Sequence, residues 1–468
     1  MRRAPVVRPA ARAAEFIAQD AIHEPAHDAR LWDLRVRRDA AARGVHEWER
    51  LRDLASKIRE HTLGRLDAYL EEFEHNAERK GIRVHWARDA GEHNRIVFDI
   101  FRARGVTEVV KSKSMLQEEC GMTPFLEERG IRVTETDLGE RIQQLDGQPP
   151  GHIVMPAIHK TRADIARLFA REIGSDAGND DPRYLTESMR RSLRERFLAA
   201  GACMTGANFA VAGTGAFVVC TNEGNADLGA SLPPLHVASI GIEKIVPRTE
   251  HLGVLVRLLS RSALGSPITR YTSHFAGPRR GGEMHVVLVD NGRSRLLGRE
   301  EFRRSLKCIR CGACMNTCPV FRHSGGLAYG SIYSGPIGAI LGPAMDERKF
   351  RELPFHSTLC GSCTQVCPVK VDISDQILAW RRVLSAGAQT PLLRRQAVRT
   401  AGRILGSPKI LRAVTKAGRR LLAGAPRILA GSRLLSPWTQ HRDLPPAPRR
   451  SFREWYLDER KGRGTKQP

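Results

Sequence analysis

Apolar side chains recur at helical spacing through most of residues 1–80. Leucine, isoleucine and phenylalanine stand three or four positions apart within two runs, at Leu51, Leu54, Ile58, Leu66, Leu70 and Phe73. That period puts them on one face of a helix, and Gly81 is a typical stop signal. The pattern predicts an N-terminal helical segment, which we place at residues 1–69.

From residue 82 onward, short apolar strands alternate with helices. Strand-like segments stand at residues 82–87, 107–112, 131–137 and 151–157, and further ones follow as CMTGANFAVAG, AFVVCTNEG, LHVASIGIEKIV and EMHVVLVDNG. The alternation predicts an α/β domain over residues 70–295 whose sheet has a substantial parallel component. No G-x-G-x-x-G fingerprint opens the first strand–helix unit, so a Rossmann-type nucleotide domain is not expected.

The pattern changes near residues 291–306, where a cysteine-rich segment begins. We assign residues 296–380 to that segment and residues 381–468 to a basic helical C-terminal region with a tail. Glycine and proline punctuate residues 324–343, which predicts loops there. Helical patterning returns over residues 376–435, and prolines exclude a helix from the tail until SFREWYLDER.

The chain has 468 residues, 41% of them hydrophobic, so two or three domains with ordinary cores are expected. No uninterrupted apolar run approaches the ~20 residues that a membrane span needs. The N-terminus is basic but lacks the apolar block of a signal peptide. These features together predict a cytoplasmic location.

The formal net charge is +24, from 75 Lys and Arg against 51 Asp and Glu. Such a charge suits nucleic acid, an anionic membrane surface or an acidic partner. Most of the basic residues, however, are arginines scattered among alanine and glycine, as an arginine-biased proteome would produce. Because no helix-turn-helix, zinc-finger or RNP-type motif is present, we favour that second interpretation and do not expect nucleic acid as a partner.

Seven of the ten cysteines crowd into residues 308–367. Cys308, Cys311, Cys314 and Cys318 follow the pattern C-x2-C-x2-C-x3-C, and Pro319 comes directly after them. This is the spacing of bacterial ferredoxins, in which three thiolates bind one cluster and the fourth binds the other. Structural zinc sites instead use separated Cys-x2-Cys pairs. The spacing therefore predicts iron–sulfur clusters.

A second run supplies only three cysteines, with Ser357 standing where a first one is expected. In two-cluster ferredoxins the last cysteine of each run binds the cluster of the other run, so we expect Cys367 to bind the first cluster. The prediction is a crossed pair, with cluster 1 on Cys308, Cys311, Cys314 and Cys367 and cluster 2 on Cys318, Cys360 and Cys363.

Cluster 2 thus lacks a fourth cysteine from this block, and four alternatives remain. It could be a three-iron cluster, or a four-iron cluster with a non-cysteine ligand such as Ser357 or His356. The ligand could instead be a remote cysteine (Cys120, Cys203 or Cys220), or one iron could stay open to water or substrate. Of the roles open to two clusters, electron transfer is favoured over chemistry at the cluster.

Polar residues in the α/β domain follow several strand-like segments, where sheet ligands tend to bind. They are Lys111, Lys113, His159, Lys160, Arg162, Asn208, Thr214, Asn222, Glu223 and Asn225. Backbone N–H groups and cations in such loops would suit a carboxylate or phosphate. The competing interpretation is that the glycines there are turns and the charges are solvated.

Taken in order, KSKSMLQEE, FLEERGIRVTETDLGERI, HIVMPAIHKTR, GANFAVAGTG, TNEGN, the twin cysteine runs and HRDLPPAPRRSFREWY resemble the lactate utilization protein B family over about residues 50–456. The resemblance implies an LUD domain of NagB/RpiA/CoA-transferase-like α/β fold and an α-helical two-cluster ferredoxin-like module. It implies two [4Fe–4S] clusters, oxidation of L-lactate to pyruvate, and two partners: a cysteine-rich-repeat iron–sulfur subunit and a second LUD-domain protein.

The chain departs from the family pattern at Gly213, where an acidic residue is common, and at Ala216, where Thr or Ser is frequent. Related CoA-transferase-like enzymes use a glutamate nucleophile, and Glu223 is the tempting match. Glu223, His159 and Lys160 are therefore the catalytic candidates, although the resemblance assigns none of them a role.

Two other functions compete with this one. The chain could be a redox-sensing scaffold or regulator that binds an acidic partner or nucleic acid through Arg394, Arg395, Arg399, Arg403, Arg412, Lys416, Arg419 and Arg420. Alternatively, these basic, amphipathic helices could lie on a membrane surface near quinone.

Overall fold

The computed structural model describes residues 5–19, 23–387, 392–425, 439 and 443–464. The chain divides into two compact units, residues 1–382 and residues 383–468, and each is described by itself. The four-part division at residues 69, 295 and 380 stays a prediction.

The described residues of the first unit begin with four helices: α1 (Pro9–Gln19), α2 (His23–Arg43), α3 (Trp48–Gly64) and α4 (Leu66–Glu78). The predicted apolar face is largely the buried one, since Leu51, Ile58, Leu70 and Phe73 are buried. Leu54 departs from the prediction, because its side chain is 42% exposed. Helices α3 and α4 meet at Arg65, whose backbone leaves the helical region and separates the two.

Within residues 82–289, all of which the structure describes, ten strands follow: β1 (Ile82–Ala87), β2 (Glu108–Lys111), β3 (Arg132–Glu135), β4 (Ala202–Gly206), β5 (Phe209–Val211), β6 (Ala216–Thr221), β7 (Leu235–Gly241), β8 (Ile245–Val246), β9 (Tyr271–Phe275) and β10 (Glu283–Val289). Six of them form a parallel sheet in the order β1-β10-β7-β4-β2-β3. The other four form a mixed sheet in the order β8-β5-β6-β9. The predicted α/β fold with a parallel component is confirmed.

In this part of the chain the structure describes nine α-helices beside the strands: α5 (Ala90–Arg102), α6 (Met115–Glu119), α7 (Met122–Glu127), α8 (Leu138–Leu145), α9 (Arg162–Ile173), α10 (Pro182–Ala199), α11 (Asn225–Ser231), α12 (Thr249–Leu264) and α13 (Arg293–Leu297). Helices cover both faces of the parallel sheet, so its central strands are buried on both sides. All seven residues of β7 are buried. Such strands read as continuous apolar runs rather than alternating ones.

The strand predicted at residues 151–157 is wrong. His152 Nδ1 accepts hydrogen bonds from the backbone N–H groups of Val154 and Met155, at 3.0 and 3.1 Å. The N–H of Gly151 also donates to the carbonyl oxygen of Pro156, at 2.9 Å. These bonds fold the segment back on itself, so its backbone groups are satisfied without a sheet.

The cysteine-rich segment is built from α14 (Ala313–Thr317), α15 (Pro319–Ser324), α16 (Gly335–Met345), α17 (Ser362–Val366) and α18 (Ile373–Ala386). Loops predicted over residues 324–343 are therefore wrong in part, because α16 is a helix. Pro336 stands in its first turn, where a missing N–H costs nothing. The first nine residues of α16 are buried, so packing overrides weak helix propensity.

In the second unit the described helices are α19 (Leu392–Gly406), α20 (Pro408–Gly424) and α21 (Phe452–Gly464). Their predicted helical character is confirmed, while residues 426–435 and the side chain of Arg394 lie outside the described residues. Arg419 Nη1 pairs with Glu454 at 2.9 Å, so it is not a free surface cation. Among the helices that the structure describes, none combines the length and apolar character that crossing a bilayer requires.

Arg59 joins three parts of the first unit. This side chain of α3 is 1% exposed. Its guanidinium donates to the carbonyl oxygens of Ile245 and Glu243 in the α/β domain and of Leu306 and Lys307 before the first cysteine. A planar guanidinium is suited to this task because it offers five donors in a fixed fork.

We predict that Arg59→Met destabilises the protein by about 3 kcal/mol or more, because several buried carbonyl groups lose their donor. Urea unfolding followed by circular dichroism measures the change. Arg50→Met, at an exposed position of the same helix, is the matched control and should change the unfolding free energy by less than about 0.5 kcal/mol. Equal effects of the two substitutions would contradict the linking role of Arg59.

Candidate iron–sulfur centres and an adjoining cavity

The seven clustered cysteines lie in two short segments of similar local structure. In each, a glycine with positive φ leads into a five-residue helix, Gly312 before α14 and Gly361 before α17. The helix then ends at Cys318 or Cys367, each in extended backbone before a proline. A side chain other than glycine would strain the left-handed turn. The turn and helix thus set the direction of the cysteines in each segment.

The electrostatic interactions among the clustered thiols define two neighbouring sets. The first set is Cys308, Cys311, Cys314 and Cys367, and the second set is Cys318, Cys360 and Cys363. Burial raises the pKa of Cys311 and of Cys314, and both are raised further by Cys308 and Cys367. In the second set, burial raises the pKa of Cys363 to about 12, with added effects of Cys318 and Cys360. Cys363 also acts on Cys314, so the two sets adjoin there.

Backbone N–H groups point at several of these sulfur atoms. Arg310 N donates to Cys308 Sγ at 3.4 Å, Phe321 N to Cys318 Sγ at 3.5 Å, and Val371 N to Cys367 Sγ at 3.3 Å. Such donors stabilise a thiolate, the form that binds iron. Among the described residues, no group of three or more His, Cys, Asp or Glu side chains is placed to hold a metal ion. The donor chemistry of the two thiol sets fits cubane clusters, which spread their ligands over several irons.

Four arginines of α2 and α3 donate hydrogen bonds to the cysteine segments or the residues just before them; we call Arg35, Arg38, Arg52 and Arg59 the arginine clamp. Arg38 donates to the carbonyl oxygen of Val366 at 3.0 Å, and Arg52 donates to those of Gln365 and Cys367 at 2.6 and 2.8 Å. Arg35 donates to the hydroxyl groups of Thr317 and Ser362.

Sequence reasoning missed the arginine clamp because it treated the arginines as scattered. The spacing of Arg35 and Arg38, and of Arg52 and Arg59, is that of residues on one helix face, and it could have been noticed. The guanidinium groups satisfy carbonyls at the end of α17 and bring positive charge towards the thiols.

A cavity of about 810 Å³ lies at the carboxyl ends of the parallel strands and reaches the first thiol set. Its wall includes Lys113 after β2, Asn208 after β4 and Glu223 after β6. It also includes Cys311 and Tyr333 of the cysteine-rich segment. One cavity therefore borders both the α/β domain and a predicted cluster ligand.

Lys111 does not line this cavity. Its side chain is fully buried, and its Nζ pairs with Glu118 at 2.8 Å and with Glu135 at 2.6 Å. Burial alone would lower the pKa of Lys111, but these carboxylates raise it above its usual value. Lys111 is therefore a core cation, and the hypothesis that it binds an external anion is wrong.

The other basic candidates have separate roles. Lys113 lines the cavity, and its Nζ donates to the carbonyl oxygen of Val154 at 2.8 Å. Lys160 and Arg162 also line it, with Lys160 paired to Asp146. His159 lies outside the cavity wall, where its Nε2 contacts Gln148 Oε1 at 3.4 Å.

Most of the polar candidates at strand ends do meet at the cavity. Asn208, Asn222, Glu223 and Asn225 line it, while Thr214 does not. Partial burial raises the pKa of Glu223 to about 7, and neighbouring Asp137 adds to the effect. Its Oε2 accepts a hydrogen bond from the N–H of Leu138 at 3.0 Å.

The departures from the family pattern do not reach this site. Gly213 and Ala216 flank the tight turn between β5 and β6 and are absent from the described cavity wall. A Cβ at Gly213 would lie 3.3 Å from the carbonyl oxygen of Pro247. A larger side chain there would press on the backbone before α12, whereas the cavity would keep its lining.

The inner end of the cavity carries charged residues that sequence reasoning did not single out. Arg293 bridges Glu119 at 2.8 Å and Glu243 at 2.6 Å. Burial would raise the pKa of Glu243, but Arg293 lowers it to about 2. Burial and then Arg310 lower the pKa of the adjacent Lys244 to about 8. These partners lie far apart along the chain, so no local motif reveals them.

The remaining cysteines are separate from both thiol sets. Cys120 and Cys203 are buried in the α/β domain, and Cys220 lines the cavity. Burial raises the pKa of each, to about 12 for Cys120 and about 11 for Cys220, with no contribution from the seven clustered cysteines.

Sequence comparisons place the chain among known proteins. The family model of the LUD domain matches residues 70–296, that of a 4Fe-4S dicluster domain matches residues 304–371, and that of the lactate utilisation protein B C-terminal region matches residues 379–461. Lactate utilization protein B of Bacillus cereus (strain AH820) is 43% identical over 433 residues, covering 90% of this chain and 91% of the relative. The protein of that name in Bacillus thuringiensis (strain Al Hakam) is equally similar.

A solved structure, that of a DUF162 family protein from Deinococcus radiodurans, is 13% identical. It covers 48% of this chain and 98% of its own, with a TM-score of 0.27, which is too low to relate the two folds in detail.

We predict that Lys111→Met destabilises the protein by about 3–5 kcal/mol, because buried carboxylates lose their cation. Burial raises the pKa of Glu135 from 4.5 to about 7. Its proton is held more tightly in the folded state, so folded stability falls as the pH rises through that window. Without Lys111 the pKa of Glu135 rises further. The loss of unfolding free energy caused by Lys111→Met, relative to the unaltered protein, should therefore be larger near pH 8 than near pH 6.

Urea unfolding at the two pH values measures this difference. Lys80→Met, which removes an exposed lysine bound to the carbonyl oxygen of Thr214, is the control and should cost about 1 kcal/mol or less at either pH. If the loss of unfolding free energy in Lys111→Met becomes smaller as the pH rises, Lys111 does not have the proposed role as the buried cation beside Glu135.

Proposed function

Because this chain belongs to the lactate utilization protein B family and has a role in lactate utilization, we propose that it is the iron–sulfur electron-transfer subunit of a system that oxidises L-lactate to pyruvate. That oxidation releases two electrons and two protons, and two one-electron clusters would carry the electrons away in single steps. Cys308, Cys311, Cys314 and Cys367 would hold the first cluster, and Cys318, Cys360 and Cys363 would supply three ligands of the second.

The observation that carries this proposal is the order of sites through the protein. The cavity borders Cys311, the first thiol set adjoins the second at Cys314 and Cys363, and Cys360 of the second set is exposed. An electron entering near the cavity would therefore have a short path to the surface. A small organic anion in the cavity would meet Lys113 and Arg162 from the α/β domain.

Among the catalytic candidates, Glu223 is the one whose position supports a role. It lines the cavity, and its raised pKa would let it exchange a proton near neutral pH. Lys160 also lines the cavity but is paired with Asp146, and His159 stands outside the wall. We propose Glu223 as a proton acceptor for a hydroxyl group bound there, with the carbon chemistry shared with the partner subunits.

The partners proposed are a cysteine-rich-repeat iron–sulfur subunit and a second LUD-domain protein, in the cytoplasm or at the inner membrane surface. The second unit supports a docking role, because α19 and α20 expose apolar side chains: Leu392, Leu393, Val398, Leu405, Ile410, Val414 and Leu421. Burying such side chains against a partner would stabilise a complex.

We predict that the protein, purified anaerobically with its partners, reduces a redox dye in the presence of L-lactate. Cys363→Ala should lower this rate at least tenfold, because the path through the second cluster is broken. Cys120→Ala, at a buried cysteine of the α/β domain, is the matched control and should keep most of the rate. Failure of the unaltered complex to reduce the dye, with clusters and partners present, would exclude lactate as the substrate.

A further inference from the structure

The second cysteine segment repeats the first at an offset of 49 residues. Residues 308–318 read CIRCGACMNTC, and residues 357–367 read STLCGSCTQVC. Three cysteines align with three cysteines, and the glycines align with each other. The first position of the repeat is Cys308 in one segment and Ser357 in the other.

The backbone repeats as closely as the sequence does. Arg310 and Leu359, which occupy equivalent positions, both have positive φ, 59° and 56°. Two positions further along, the equivalent glycines Gly312 and Gly361 also have positive φ, 76° and 80°. A positive φ in a residue other than glycine is uncommon, so its presence at matched positions marks the same local structure.

The first side chain of each segment also makes the same hydrogen bond. Arg310 N donates to Cys308 Sγ at 3.4 Å, and Leu359 N donates to Ser357 Oγ at 3.2 Å. Ser357 Oγ therefore has the placement relative to its segment that a cluster-ligand sulfur has in the other.

A further contact fixes the position of Ser357. Arg381 Nη2 donates to the carbonyl oxygen of Ser357 at 2.6 Å, and Arg381 Nε donates to that of Pro354 at 2.8 Å. These two hydrogen bonds from the Arg381 guanidinium fix the position of the backbone at Pro354 and Ser357, just before Cys360. A preset backbone lowers the entropy that would be lost when the side chain binds a metal.

We propose that Ser357 Oγ is the fourth protein ligand of the second cluster, completing the set Cys318, Cys360 and Cys363. This inference rests on the proposed iron–sulfur function. The hydroxyl group would give up its proton to solvent as the oxygen–iron bond forms, with no change in oxidation state. Ser357 has the position that Cys308 has for the first cluster, so the two sites would differ by one oxygen in place of one sulfur.

His356 is the strongest rival ligand. Its Nε2 is buried and has no hydrogen-bond partner among the described residues. However, its ring packs edge-on against Tyr329, with centroids 5.3 Å apart, and it precedes the first position of the repeat. The segment-to-segment correspondence selects Ser357 and gives His356 no counterpart ligand, since the residue before Cys308 is Lys307.

An oxygen ligand has a functional consequence. Alkoxide is a harder donor than thiolate and favours the ferric state. The second cluster would therefore be harder to reduce than the same cluster with four thiolates, and the potential difference between the two clusters would depend on residue 357.

The test uses the whole chain, reconstituted anaerobically without partners or lactate. Iron and sulfide counts are combined with EPR spectra of oxidised and reduced protein. We expect about eight irons in the unaltered protein and in Ser357→Cys, but about seven in Ser357→Ala, with a three-iron signal after oxidation. Ser357→Cys should also raise the reduction potential of the second cluster. Thr358→Ala, at the adjacent exposed position, is the control and should change neither the iron content nor the reduction potential of the second cluster.

Three results would overturn the proposal. In the first, Ser357→Ala keeps all its iron and an unchanged spectrum. In the second, His356→Ala loses the iron while Ser357→Ala does not, which would assign the ligand to His356. In the third, the unaltered protein already holds a three-iron second cluster. Absence of any bound iron would instead refute the iron–sulfur function itself, so the two failures are distinguishable.

Discussion

Hydrogen bonds from the arginine clamp connect the N-terminal helices to the cysteine segments and, through Arg59, to the α/β domain. Arg38 and Arg52 bind carbonyl groups at the end of α17, and Arg59 binds carbonyls on both sides of the junction between the α/β domain and the cysteine-rich segment. Iron–sulfur clusters bound by thiolates carry net negative charge, and a low-dielectric interior magnifies its cost. Guanidinium groups stay charged when buried. Their positive charge beside the clusters would therefore reduce the free-energy cost of burying the clusters' negative charge.

This arrangement explains why the N-terminal helices, the α/β domain and the cysteine-rich segment share one compact unit. The cavity lies where the carboxyl ends of the parallel strands face that segment, and its charged inner end links Glu243, Arg293 and Arg310. Electrons leaving a bound anion would therefore meet a predicted cluster ligand, Cys311, inside the same protein. This juxtaposition supports the function proposed for the chain.

The sequence predicted those features that depend on local spacing. The cysteine spacing over residues 308–318 is local and agrees with the match to a 4Fe-4S dicluster domain, while the role of each cysteine as a ligand stays a prediction. Alternating strands and helices imply a parallel sheet, which the structure confirms. The strand at residues 151–157 was wrong because the His152 ring competes for backbone N–H groups, which apolar patterning does not register. The sequence does not reveal that Lys111 is a core cation, because Glu135, its buried partner, lies on a neighbouring strand. Arg59 and Arg293 were missed for a similar reason, since their partners are distant in sequence.

The central claim is that the two cysteine segments exchange their last ligands. EPR spectra of reduced Cys367→Ser and Cys360→Ser, compared with the unaltered protein, test it most directly. The account predicts that Cys367→Ser alters the cluster held by Cys308, Cys311 and Cys314, and that Cys360→Ser alters the other. If Cys367→Ser leaves the first cluster's spectrum intact and changes only that of the second, each segment holds its own cluster and the crossed arrangement is wrong.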